Sequence, residues 1–168
     1  MSQAGSAMKL TSFTDYSLRV LVYLAAQPGR RATIAEIATA FDISENHLTK
    51  VVHFLGQVGL LANVRGKGGG LDLARAPSEI VIGDVVRRAE GAVVPAECFG
   101  ENPGHCCIAP VCRLRGVMQE AIEAFYGVLD GCTLEDLAHN RPALARALFV
   151  ERPPRRAGTP APGALRGR

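Results

Sequence analysis

The sequence predicts a mainly α-helical domain with one small β-hairpin, followed by one long helix, and three observations carry that prediction. Two short helical patterns, residues 33–41 and 44–55, are separated only by Asp42-Ile43. Just beyond them, two short apolar runs flank Arg65-Gly66-Lys67-Gly68-Gly69-Gly70, as in a hairpin with a glycine-rich turn. Further on, apolar residues recur every three or four positions from Leu114 to Leu129, which marks a long helix with one wide apolar face.

Taken in order, Lys9 to Asp15 lead into a first helical pattern carried by Leu18, Leu21, Val22 and Ala25 and stopped by Gln27-Pro28-Gly29. Thr33-Ile34-Ala35-Glu36 forms a capping box, in which the Thr hydroxyl accepts from the third helical N–H and the Glu side chain reaches back to the cap N–H. The helix it opens runs to about Phe41, Asp42-Ile43 makes a tight turn, and Ser44 caps the next helix, whose buried face is Leu48, Val51, Val52 and Leu55. Leu60 to Val64 reads as a strand and Leu71-Asp72-Leu73 as its return. Ile82 to Glu90 reads as a short helix ended by Gly91. Pro95, Pro103 and Pro110 with Gly100 and Gly104 forbid regular structure between Val94 and Val111. Thr133-Leu134-Glu135-Asp136 opens a short terminal helix to about His139.

Helix, turn, helix and glycine-rich hairpin in this order read as a winged helix-turn-helix domain over residues 8–91, preceded by a small polar extension, 1–7. A cysteine-bearing loop spans 92–112, and a long helix with the short terminal one spans 113–140. The tail, 141–168, is expected to be disordered from about 153, where Pro, Gly, Ala and Arg offer little to bury.

Composition excludes several classes. The longest apolar stretches, such as Leu18 to Ala26, fall short of the ~20 residues that cross a bilayer, and the first residues lack a secretory pattern, so a cytoplasmic protein with no membrane partner is expected. The net charge of +3 comes from the tail: residues 151–168 hold five arginines against Glu151. Global basicity is therefore no argument for nucleic acid. The Gly-Lys-Gly-Gly-Gly run has the wrong spacing for a phosphate loop and no Ser or Thr after the lysine. The four histidines form no nucleophile–base pattern, so an enzyme is not expected.

In a helix-turn-helix the first helix braces the second, whose N-terminal residues meet base edges in the major groove. Here those residues are Ser44, Glu45, Asn46 and His47; Asn46 can bridge two adenine edge atoms, Thr49 and Lys50 can reach phosphates, and His53 lies one turn on. Arg65 and Lys67 occupy the wing tip. The apolar face of the long helix wants a partner, and a second copy would give a homodimer reading a palindromic double-stranded operator.

Four of five cysteines lie between Cys98 and Cys112. Cytosolic thiols stay reduced, so ligation or redox chemistry is expected rather than disulfides. Cys98, Cys106 and Cys112 follow the spacing C-x7-C-x5-C, and the last stands at a helix start, where the dipole favours an anionic thiolate cluster. Zinc held by Cys98, His105, Cys106 and Cys112 is a competing reading, and Cys106 with Cys107, or a Cys132 partner, could serve a thiol redox switch; spacing leaves the three open.

The stretch Lys9-Leu10-Thr11-Ser12-Phe13-Thr14-Asp15-Tyr16-Ser17-Leu18-Arg19, the winged helix-turn-helix, Glu90-Gly91 and above all Cys106-Cys107-Ile108-Ala109-Pro110-Val111-Cys112-Arg113-Leu114 resemble the NsrR family of nitric-oxide-sensing repressors. That family belongs to the winged-helix superfamily that also holds IscR. The resemblance covers about Met8 to Asn140. It implies an iron-sulfur cluster, 4Fe-4S ahead of 2Fe-2S or zinc, on Cys98, Cys106 and Cys112, with an oxygen ligand from Asp15 of the other subunit. Nitric oxide as effector would release the operator and express detoxification genes. Two features depart from the pattern: the gap between Cys98 and Cys106 is longer than the family's, and Cys107 is an additional thiol beside a ligand that could replace Cys106; Arg115, where an IscR-like protein carries histidine, argues against the IscR branch. Cys132, beyond the long helix, reads as a structural thiol.

Overall fold

The computed structural model describes residues 10–66, 68–91, 99, 107–108 and 111–149. Lys67, Cys98, Cys106, the N-terminal extension and the expected disordered stretch from 153 lie outside the described residues. The element order is α1 Ser12–Ala26, α2 Ile34–Phe41, α3 Glu45–Gln57, β1 Leu61–Val64, β2 Gly70–Leu73, α4 Ile82–Glu90, α5 Arg113–Asp130, α6 Leu134–Leu137 and α7 Arg141–Phe149.

Local chemistry sets the helix starts. Thr11 caps α1 by accepting the Thr14 N–H, Thr33 and Glu36 close the capping box of α2, and Ser44 caps α3. Asp42 takes the left-handed conformation at φ 55°, and Ile43 N–H bonds to Ala38 O, which turns the chain sharply from α2 into α3. A second capping box, Thr133 with Asp136, opens α6.

The hairpin pairs Leu61 with Leu73, Ala62 with Asp72, Asn63 with Leu71 and Val64 with Gly70. The first strand begins one residue later than the sequence suggests, because the Leu60 N–H closes the end of α3 on Leu55 O. Ala32 bridges to Leu71, so the α1–α2 connection runs along the outer edge of the wing. Gly69 has no room for a side chain between Val64 O and Gly66 O, which explains a glycine at that position.

One apolar core joins these parts. Leu21, Ile37, Leu48, Leu55, Ile80 and Leu134 are fully buried, each contributing about 1.5–3 kcal/mol of apolar burial. The buried Ser17 hydroxyl donates to Phe13 O, and Thr14 pairs with Thr11, so neither polar group is stranded.

After α5 the chain returns to this core. Val81 bridges Thr133, Ile82 N–H bonds to Cys132 O and Leu134 N–H to Ile80 O. Arg87 grips Asp130 through two hydrogen bonds of 2.7 and 2.5 Å and lies 4.4 Å over the Tyr126 ring, while Gly83 lets the Asp130 carboxylate approach α4 closely. The C-terminal end of α5 is thus fastened to the winged domain. Residues 141–149, counted with the tail in the sequence, form α7, which docks on α1 and α2 through Leu144, Leu148 and Phe149. No helix among the described residues is long and apolar enough to cross a membrane.

Candidate nucleic-acid interface and cluster loop

The 3.6-residue period of α3 divides it into two faces. Leu48, Val51, Val52 and Leu55 are buried, whereas Ser44, Glu45, Asn46, His47, Thr49, Lys50 and His53 are all exposed. The expected reading residues therefore share one solvent-facing surface. Two of them are already engaged: Ser44 Oγ accepts the His47 N–H at 3.4 Å, and the Thr49 hydroxyl donates to Glu45 O at 2.8 Å, so Thr49 must give up that bond to donate to a phosphate. Arg65 is exposed at the start of the wing turn.

The face is braced by α1. Phe13 meets Phe54 edge-on with centroids 5.2 Å apart, and the Tyr16 ring lies 6.2 Å from that of His47. Arg31, which sequence reasoning passed over, donates to Gly68 O in the wing turn at 3.0 Å. No local pattern could have found it, since its partner is 37 residues away.

The N-terminal end of α1 also carries Asp15, partly exposed, whose Oδ2 pairs with Arg19 at 2.9 Å. Beside it, Glu90 at the last turn of α4 accepts the Thr11 N–H at 2.7 Å and the Thr11 hydroxyl at 3.0 Å. Burial pushes the Glu90 carboxyl up, but the Thr14 and Thr11 donors outweigh it and hold the group below its ordinary value. Glu90 immediately precedes Gly91 and the cysteine loop. The first helical turn of that loop's far side begins at Cys112, which occupies the cap position of α5 without making a side-chain cap bond.

Cys112 is partly exposed, Cys107 exposed and Cys132 partly buried against the core. Cys98 and Cys106 lie outside the described residues, and among the described residues no three metal-ligating side chains gather. Asp15 and Cys112 are thus each placed, whereas the other two expected ligands lie outside the described residues. On α5 no residue is buried; Leu114, Val117 and Val128 are 65, 52 and 75% exposed, while Phe125, Tyr126 and Leu129 pack on the core. The predicted apolar face is thereby split between the core and solvent.

A family model described as Rrf2, an iron-dependent transcriptional regulator, matches residues 10–140. This chain belongs to the Rrf2 family. It is similar to the HTH-type transcriptional regulator NsrR of Bacillus subtilis, 48% identical over 145 residues that cover 86% of this chain and 99% of that one. The NsrR of Geobacillus kaustophilus is 49% identical, with the same coverages. Among solved structures it is similar to CymR, the global cysteine regulator of B. subtilis, with 30% identity, TM-score 0.63, and 79% and 98% of the two chains covered. It is also similar to T. potens IscR, with 26% identity, TM-score 0.65, and coverages of 80% and 88%. The winged-helix fold and the NsrR resemblance expected from sequence agree with these relatives. This Rrf2 protein is a transcriptional regulator, and its relatives carry regulators' names rather than enzymes'.

Proposed function

We propose that this regulator is a homodimeric repressor that reads a palindromic operator through α3 and the wing and releases it when nitric oxide reacts with an iron-sulfur cluster. Genes of nitric-oxide detoxification would then be expressed. The names of its relatives support the class, and the position of Cys112 carries the cluster reading.

The residues present fit such a group. Cys112 stands at the uncapped start of an 18-residue helix with no acid in its first turn, so the free N–H groups and helix dipole there favour a thiolate-held anion. Cys98, Cys106 and Cys112 would be the thiolate ligands, with Asp15 of the other subunit as the oxygen ligand; Arg19 occupies Oδ2 and orients the carboxylate, leaving Oδ1. When bound, the cluster would supply iron reactive toward nitric oxide, most readily at the iron held by oxygen.

What the chain itself does follows from its contacts. Ser44, Glu45, Asn46, His47 and His53 would face base edges, with Thr49, Lys50, Arg65 and Lys67 on phosphates. Asp15 lies on the same helical turn as Phe13 and Tyr16, which brace Phe54 and His47, so a displacement at Asp15 is passed directly to the reading helix. Glu90 ties that turn to the residue preceding the cysteine loop. The exposed Leu114, Val117 and Val128 would pack against a second copy of α5.

The test is anaerobic purification followed by absorption, iron and sulfide analysis, then nitric-oxide titration with a duplex selected from a random pool. Brown protein with about four irons per chain, whose DNA complex dissociates on titration, supports the reading. Colourless zinc protein whose DNA binding ignores nitric oxide overturns it.

A further inference from the structure

The wing is a two-stranded hairpin, and such a hairpin is marginal in water unless a third element packs on it. Here the third element is the α1–α2 connection. Ala32 exchanges both backbone hydrogen bonds with Leu71, at 3.2 and 2.7 Å, and a methyl group on Gly70 would meet Ala32 O at 2.9 Å and the Arg31 side chain at 3.2 Å. That contact secures the base of the hairpin. The turn beyond it contains Gly66 and Gly68, both at positive φ, and Gly69, so its own backbone does little to hold one orientation.

Arg31 supplies a tie from outside. Its Nη1 donates to Gly68 O at 3.0 Å, and its Nε stands 3.9 Å from Asp72 Oδ2. Among the described residues, no other hydrogen bond reaches the 65–69 turn from outside the hairpin. The segment that carries Arg31 is itself braced: Arg30 bonds Gln27 and Glu36, each at 2.9 Å, and its guanidinium lies 5.3 Å over the Phe149 ring. Arg31 thus reaches from a fixed base to the turn at whose start Arg65 stands exposed. It also sets a positive charge beside Asp72, an acid on the return strand that would otherwise repel a phosphate approaching the wing.

We infer that Arg31 is a positioning residue for DNA binding: it fixes the wing so that Arg65 meets the phosphate backbone, and it acts on the duplex through the wing rather than by touching it. This deepens the proposed DNA-reading role and rests on it, though not on the cluster. Phosphate contacts position a protein without specifying sequence, so a loosened wing weakens every duplex alike.

The experiment compares the full chain with three full-length variants at these exposed positions, Arg31→Gln, Arg65→Gln and the double substitution. In the free protein, amide exchange at Gly69, whose N–H bonds Gly66 O across the turn, should speed up about threefold or more in Arg31→Gln, while the amides of α3 keep their rates. Dissociation constants for a selected operator duplex and a scrambled duplex are then measured from 50 to 200 mM KCl. Each single variant should weaken both duplexes by a similar factor and lower the salt slope by up to ~0.9. The double variant should lower it by ~0.9 rather than ~1.8, because both residues act through one wing. Additive slopes would mean that Arg31 contacts phosphate itself, and weakening confined to the operator would mean that it reads sequence. Unchanged Gly69 exchange, or affinities indifferent to Arg31→Gln, would mean that the tie does not hold the wing. Any of these overturns the inference while leaving the regulator reading intact. A natural chain that binds neither duplex defeats that reading and the inference with it.

Discussion

The Glu90 carboxylate accepts the Thr11 N–H at 2.7 Å and the Thr11 hydroxyl at 3.0 Å, completing from 79 residues away a cap that helices usually complete with their own third residue. The junction joins the N-terminal turn of α1, where Asp15 and Tyr16 sit, to the end of α4, where the cysteine loop starts.

Replacing either partner tests it. Thr11→Ala removes the α1 cap and is expected to cost about 1 kcal/mol. Glu90→Gln is expected to cost a similar ~1 kcal/mol, and the double variant less than the two together, because they share one interaction. Urea denaturation of the four proteins measures this. A strictly additive cycle would show that the two residues act independently.

The same carboxylate has a pH signature. Its folded pKa lies below the ordinary 4.5, so its contribution is fully present above that value and is lost as pH falls through the lower folded value. The stability difference between the natural protein and Glu90→Gln should be constant from pH 7 to 5 and shrink below about 4.5. A difference that grew in acid would contradict the assignment.

The junction between α4 and α5 depends on absent atoms. A methyl group on Gly83 would collide with the Asp130 carboxylate and crowd its backbone nitrogen at 3.1 Å. Gly83→Ala is expected to destabilise by about 1–3 kcal/mol through overpacking. Adding Asp130→Ala should restore only part of the loss, since the backbone contact remains. Thermal melts of the single and double variants settle it; full restoration would place the collision entirely on the side chain.

On α3, Asn46→Ala should leave stability within about 0.5 kcal/mol because the side chain is exposed. It should weaken operator binding by about 1–3 kcal/mol while sparing scrambled DNA. Lys50→Gln should weaken both duplexes alike and reduce the salt slope by ~0.9. If Asn46→Ala weakened both duplexes equally, the base-reading role would belong to another residue.

At the cysteine loop, Cys112→Ser separates ligation from folding. Serine is a competent helix cap and Cys112 makes no cap bond, so the apoprotein should melt no lower than the natural one. Anaerobic iron content should nevertheless collapse. Asp15→Asn should keep the thiolate-held iron and alter only the reaction with nitric oxide. Full iron retention in Cys112→Ser would remove that residue from the ligand set.

Much of this fold is written locally. Thr33 with Glu36, Ser44 before Leu48, and the glycines around Lys67 each act within four residues, so their caps and turns are legible as text. The buried stripe Leu48, Val51, Val52, Leu55 follows from helical period alone, and the exposed row from Ser44 to His53 follows as its complement. The α7 helix has local support in its Ala, Leu and Arg residues and in Asn140, whose side chain accepts the Ala143 N–H, but where it docks is not legible: Phe149 packs on Tyr23 and Arg30, more than a hundred residues upstream.

The sequence by itself determined the helix starts, the wing turn, the exposed face of α3 and the cysteine spacing, because those depend on short-range hydrogen bonds and periodicity. Only the tertiary structure decided that Glu90 caps α1, that Arg31 reaches the wing turn, that Arg87 and Asp130 fasten α5 at one end, and that Phe149 of α7 docks on Tyr23 and Arg30. Each joins residues whose separation along the chain carries no periodic signal, so each becomes visible only when burial of the common core brings them together.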